Sequence, residues 1–233
     1  RNARMKALIR VNPGEMGNII DAAERELAKS GHHYQRGRMI SIVSTAPETN
    51  HTSITLIKSS SIRIALSNAA YWERYSASVE DYVQIDPPEE YARAMFDAPE
   101  YRFLPILRGL ARQPYLRSDG SLMMNPGYDP HTGMFGVFSA RDFHVPDSPT
   151  LEEVQNALTL IDSLLAEFTF KDATDKAAAL CAILTATIRP SLPLAPMFHV
   201  RAPQIGSGKS FLCRLIGAFA SARLGTPMTF PKE

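Results

Sequence analysis

Residues able to do chemistry gather in one short stretch, Ala202-Pro203-Gln204-Ile205-Gly206-Ser207-Gly208-Lys209-Ser210. Two glycines spaced two apart, then a lysine and a hydroxyl, are the residue types of a phosphate-binding loop of the Walker A kind. Gly206 and Gly208 let the backbone turn so that its N–H groups point inward as an anion nest. A helix starting around Lys209 adds its positive end to the same place. Lys209 is then placed to reach the β- and γ-phosphates as a point charge. The Ser210 hydroxyl is placed to be the protein ligand of a phosphate-bound magnesium ion, so ATP and Mg2+ are the cofactors implied. Pro203, Gln204 and Ile205 complete the loop. The consensus has glycine where Pro203 stands; proline fixes φ and donates no hydrogen bond, which is tolerable where the backbone leaves a strand.

Hydrolysis needs more than this loop. A strand ending in Asp or Glu must hold magnesium and polarise the attacking water. After Ser210 the only carboxylate is Glu233, and no Asp follows Asp175. Val83-Gln84-Ile85-Asp86 ends an apolar run in a carboxylate, but reads more simply as a strand before Pro87-Pro88. No catalytic residue is assigned, and the chain alone is expected to bind nucleotide weakly and to turn it over poorly. Two alternative metal readings, His131 with Asp129 and His199 with Asp142 or Asp147, lack ligand spacing and read as ordinary histidines.

The elements that must position the loop are legible around it. Pro196 to Arg201 reads as a short strand leading into the loop, and Phe211, Leu212, Leu215, Ile216 and Phe219 as the apolar face of the helix after it. Thr226 to Phe230 reads as a further piece of the same sheet. Upstream, Thr150 and Glu153 form a capping box opening a helix whose stripe is Leu151, Val154, Leu158, Ile161, Leu165 and Phe168. Asp172 and Asp175 cap an alanine-rich helix that Pro190 closes. The first part of the chain mixes strands and helices irregularly. Leu8 to Val11 is a strand and Met16 to Leu27 a helix; His33 to Gln35, Met39 to Ser44 and Thr52 to Lys58 are strands. A second helix runs from Ser60 or Ser61 and ends at Tyr71, Trp72, Arg74 and Tyr75, before a strand at Tyr82 to Ile85 and a helix from Pro88. Turn signals crowd Tyr115 to Phe138. The composition shifts at Val145 to Pro149. The expected organisation is an α+β domain over 1–147, a helical connector over 148–192, and the beginning of an α/β P-loop NTPase domain over 193–233.

Composition sets wider bounds. A hydrophobic fraction of 45% and a net charge of +1 place the chain among globular proteins and give no whole-chain attraction to a polyanion. Any DNA contact must come from local charge, and Arg36, Arg38, Lys58 and Arg63 are the candidates. The tyrosines beside Trp72 and Arg74 are a second possible grip on a single strand. Cys181 and Cys213 show no disulfide or metal spacing, which fits a reducing cytoplasm. No apolar run is long enough to span a bilayer. The basic start, Arg1 to Arg10, lacks a signal-peptide core, and with Met5 as the first methionine the chain reads as a piece of something longer.

Tyr34-Gln35-Arg36-Gly37, the segment Leu116 to Leu122, and Pro126-Gly127-Tyr128-Asp129-Pro130 with Thr132-Gly133 precede the loop in that order. The arrangement resembles the helicase-like portion of large phage and integrative-element replication proteins, often fused to a primase or primase-polymerase. It covers nearly the whole chain from about Ile9. The resemblance implies an ATP-driven motor on DNA, AAA+-like and assembled as a ring of identical subunits. It also implies that the magnesium-binding acidic strand lies beyond Glu233 and the primase upstream. Two other readings stand beside it: a non-enzymatic nucleic-acid- or protein-interaction module with an idle loop, and a small-molecule kinase, which the large domain before the loop disfavours.

Overall fold

A computed structural model describes residues 6–48, 51–204 and 206–220. It is mixed α and β, with six α-helices and several small sheets among the described residues. The chain divides into two compact units, Arg1–Leu110 with Thr132–Met134, and Ala111–His131 with Phe135–Glu233. The composition shift at 145–149 lies elsewhere. Residues 111–131 and 135–147, grouped by sequence with the first domain, fall in the second unit.

The first unit is built on β1 (Ala7–Val11), α1 (Met16–Lys29), β2 (His33–Arg36), β3 (Met39–Ala46), β4 (His51–Leu56), α2 (Ser59–Ala69), β5 (Ala70–Ser76), β6 (Asp81–Ile85) and α3 (Glu89–Phe96). β5 is the centre of a sheet, parallel to β1 and antiparallel to β6. One face of that sheet carries Ile9, Val11, Ala70 and Trp72 into a core with Ile19, Leu27, Leu66 and Met95 from the helices. Trp72 is 1% exposed, and its indole N–H is directed at the Leu66 carbonyl, 3.4 Å away.

β5 corrects the expectation of a helix ending at Tyr75. The helical stripe Ile62, Leu66, Ala69 has no Gly or Pro after it, so its apolar spacing runs smoothly into the strand. Ala70 is already extended, at φ −145° and ψ 160°. The strand wins because Ala70 and Trp72 alternate inward beside Ala7 and Ile9. A two-residue turn, Gly37-Arg38, joins β2 to β3, and β3 pairs β4. The edge of β2 is extended by residues 101–107, with Gln35 N–H bonded to the Pro105 carbonyl at 2.9 Å and Leu107 N–H to that of Gln35 at 2.8 Å. Buried Glu24 on α1 accepts from the N–H groups of Phe103 and Leu104, which satisfies its carboxylate and ties that segment down.

The second unit includes the hairpin β7 (Tyr115–Leu116) and β8 (Leu122–Met123), with β9 (Gly127–Asp129) following. Asp129 is fully buried there. It takes a two-pronged contact from Arg117, at 2.9 and 3.1 Å, and a bond from the Tyr115 hydroxyl at 2.9 Å. The Asp129 carboxylate beside it raises the pKa of the Arg117 guanidinium. Three short strands with little apolar surface are pinned by this one satisfied charge.

Helices α4 (Leu151–Ser163), α5 (Ala173–Thr187) and α6 (Lys209–Ala220) complete the unit. The capping box at Thr150 and Glu153 is present in both directions, and Asp172 caps α5 by accepting from the Asp175 N–H. The core around the loop is Leu165, Ala179, Ile183 and Leu212, with Phe168, Val200 and Leu215 packed against it. Only the end of the predicted α4 stripe is buried: Leu151 and Leu158 are exposed, and Leu165 is inside.

Candidate nucleotide-binding loop and basic surfaces

The loop lies between an irregular segment and the start of α6. Residues 196–201 were expected as a strand and are irregular, with Met197 92% exposed. A strand is defined by its ladder, and no described segment pairs with these residues, so an apolar, β-prone run stays unpaired. The turn at 206–208 and the helix after it are present among the described residues, and the strand expected before them is not.

Gly206 and Gly208 both take φ of 83°, the left-handed region where a side chain is strained. The chain turns and bends through residues 206–208 before the helix. The Leu212 N–H bonds the Gly208 carbonyl at 2.9 Å, which makes Gly208 the residue at the helix entrance. The N–H groups of Lys209, Ser210 and Phe211 therefore belong to the first turn, where a helix has no internal acceptors for them.

Lys209 bends back over the loop. Its ammonium donates to the Gln204 carbonyl at 2.8 Å and to the Ser207 hydroxyl at 3.1 Å. No carboxylate pairs with it among the described residues. Ser210 is exposed in the first turn of α6, and Pro203, Gln204 and Ser207 are exposed along the loop. Ile205 lies outside the described residues, as does the stretch Thr226 to Phe230. A side chain added at Gly206 would meet nothing within 4 Å, so the mouth of the loop is open.

Phe168 holds the loop from behind. Its ring stacks on Phe211 with centroids 6.0 Å apart, and its Cε1 stands 3.4 Å from where a Cβ on Gly208 would be. The sequence shows Phe168 only as the last member of an apolar stripe. Its role at Gly208 depends on a fold-back after α4 that periodicity does not reveal.

A phosphate fits this arrangement by chemistry. Two left-handed glycines precede a helix start, and Lys209, with no carboxylate partner among the described residues, lies over them. Ser210 Oγ is the side-chain oxygen in the first turn suited to magnesium.

In the first unit, three of the four candidate DNA contacts come together. Arg36 pairs with Met39 across the β2–β3 turn, and Arg38 is in that turn. The Ile57 N–H bonds the Ile40 carbonyl, which extends the β3–β4 ladder and sets Lys58 beside Met39. Arg36, Arg38 and Lys58 are all exposed at this one end of the sheet. Arg63 is different: its Nε donates to the Pro87 carbonyl at 2.7 Å, tying α2 to the turn before α3. Of the aromatic group, Trp72 is core, Tyr71 and Tyr75 are on the opposite face of β5, and Arg74 approaches Glu90 at 3.7 Å.

His131 stands 3.5 Å from Asp129 within the Arg117 cluster. Among the described residues no group of three or more His, Cys, Asp or Glu side chains is placed to hold a metal, and no helix is long and apolar enough to cross a membrane. Cys181 and Cys213 are free and exposed. Comparison of the chain with protein-family models, with curated proteins and with solved structures found no match.

Proposed function

We propose that this chain is the loop-bearing portion of an ATP-dependent enzyme acting on DNA, a helicase of a phage or mobile element, AAA+-like and working as a homo-oligomer. One observation carries the nucleotide part: Gly206 and Gly208 are both left-handed, with Lys209 reaching across them from the first turn of α6. Mg-ATP, when bound, supplies a hydrolysable phosphoanhydride. The chain's own residues hold it. The loop amides and the α6 N-terminus would hold the phosphates, Lys209, now bonded to Gln204 and Ser207, would meet phosphate oxygens, and the Ser210 hydroxyl would be the side-chain ligand of magnesium. No residue of this chain is assigned to activate water, so binding without turnover is the expected behaviour. The DNA part is supported by the resemblance and by Arg36, Arg38 and Lys58 at one end of the β2–β3–β4 sheet.

A second reading is favoured by a different observation. Residues 196–201, which a working P-loop needs as a strand, are irregular and in part fully exposed. On that reading the chain is a nucleic-acid- or protein-interaction module whose loop is idle. Titration calorimetry with Mg-ATP separates the two. The nucleotide reading expects saturable binding that Lys209→Ala weakens by about tenfold or more, the loss of a charge-assisted phosphate contact. Heat that is absent, or indifferent to Lys209, leaves the module reading.

A further inference from the structure

The sheet β1–β5–β6 is covered by helices on one face only. Ile9, Val11, Ala70 and Trp72 fill the covered face. Strand alternation sends Leu8, Arg10, Tyr71, Tyr75, Tyr82 and Gln84 to the other, which no described element of this unit covers with a core. Tyr71 and Tyr75 are 49% and 52% exposed there. They are four residues apart on one strand, a separation of about 13 Å at the ordinary strand rise.

Cations lie against these rings. Lys6 Nζ is 5.3 Å from the centroid of Tyr71, and Arg10 Cζ is 4.3 Å from that of Tyr82. Tyr82 in turn meets Tyr75 edge to face, with centroids 5.7 Å apart at 74°. Among the strand positions on this face Glu73 is the one carboxylate, and Arg10 holds it at 3.4 Å. On the strand positions Arg10 and Glu73 balance, and Lys6, just before β1 and bonded through Nζ to the Ser67 carbonyl at 3.1 Å, adds one positive charge.

We propose that this face binds single-stranded nucleic acid, with Tyr71 and Tyr75 stacking on bases and Lys6 and Arg10 meeting the backbone phosphates. Unpaired bases offer ring faces that a flat sheet can meet, and phosphates complement the one excess positive charge. In a duplex the bases are stacked on one another and their faces are closed to such rings. A protein partner would gain apolar burial, yet here both exposed rings carry a hydroxyl and Tyr71 has Lys6 beside it. The proposal does not rest on the nucleotide loop, which belongs to the other unit.

The test is fluorescence anisotropy of labelled oligothymidylate and of a mixed-sequence duplex with the full chain, at low salt and without nucleotide. The single strand is expected to bind more tightly than the duplex. Tyr71→Ala/Tyr75→Ala should weaken it by about tenfold or more, and Tyr71→Phe/Tyr75→Phe should keep it, because stacking needs the ring and not the hydroxyl. Tyr75→Ala alone, at a half-exposed position, is the variant to use if the pair disturbs the melting curve, with a loss of about fivefold or more expected. No binding, equal binding of the duplex, or alanine variants that fold and bind like the parent would each overturn the proposal. Omitting nucleotide keeps this outcome separate from that of the Mg-ATP titration.

Discussion

At the scale of single residues, the loop glycines differ in a way their identical φ values conceal. A Cβ on Gly206 enters open space, and one on Gly208 enters contact with Phe168. Both substitutions pay the left-handed strain of about 1–2 kcal/mol. Gly208→Ala should cost more in denaturant titration than Gly206→Ala, and should also shift Phe168 against Phe211. Equal costs would mean that Phe168 yields freely. His33 supplies a pH dependence. Burial, with a smaller contribution from neighbouring His32, lowers its pKa from 6.5 to about 4. The folded chain thus keeps His33 neutral where the unfolded chain has protonated it. Between those two values the unfolded state binds more protons, so stability should fall as pH drops from 6.5 toward 4 and lose no more below that. The loss is on the order of 1–2 kcal/mol after discounting for partial exposure, and His33→Gln should flatten it. Urea midpoints measured across that window decide the matter.

Elements show where local signals suffice and where they fail. The capping box at Thr150 was legible as a motif, because its two bonds join residues three apart and need no tertiary partner. Thr150→Ala should cost about 1 kcal/mol in unfolding of the second unit, with some loss of helical circular dichroism. The helix-to-strand change at Ala70 was not legible. Helical and strand patterns overlap across Leu66, Ala69, Ala70 and Trp72, and only pairing with β1 chooses between them. The opposite error occurred at 196–201, where a strand-like sequence meets no partner. Periodicity reports which residues seek burial, and a ladder decides whether a run is a strand. The same distinction separates Trp72, read as core, from Tyr71 and Tyr75, whose exposed face appears only once β5 is a strand.

For the molecule as a whole, charge is nearly balanced, at +1, so DNA binding must come from placement. Arg36, Arg38 and Lys58 share one sheet end, and Arg63 is bonded to Pro87. A salt series on single-stranded DNA should therefore separate them. Arg36→Ala, Arg38→Ala and Lys58→Ala should each reduce the slope of log K against log salt by about 0.7. Arg63→Ala should leave the slope unchanged and lower thermal stability instead. A slope change at Arg63 would show that its guanidinium leaves Pro87 to meet phosphate.

The sequence by itself determined the features that are local in the chain. These are the glycine–lysine–serine loop at a helix start, the caps of α4 and α5, the strands and helices of the first hundred residues apart from β5, and the turns between 115 and 138. Each depends on bonds or φ values set by neighbours a few residues away. Tertiary structure alone decided which basic residues stand free and which tyrosines are exposed. It also decided that Asp129 is the buried anchor of Arg117 and that Phe168 supports Gly208. Those outcomes depend on which segments pack together across tens of residues, where burial, pairing and charge satisfaction are settled jointly and no spacing in the chain records the result.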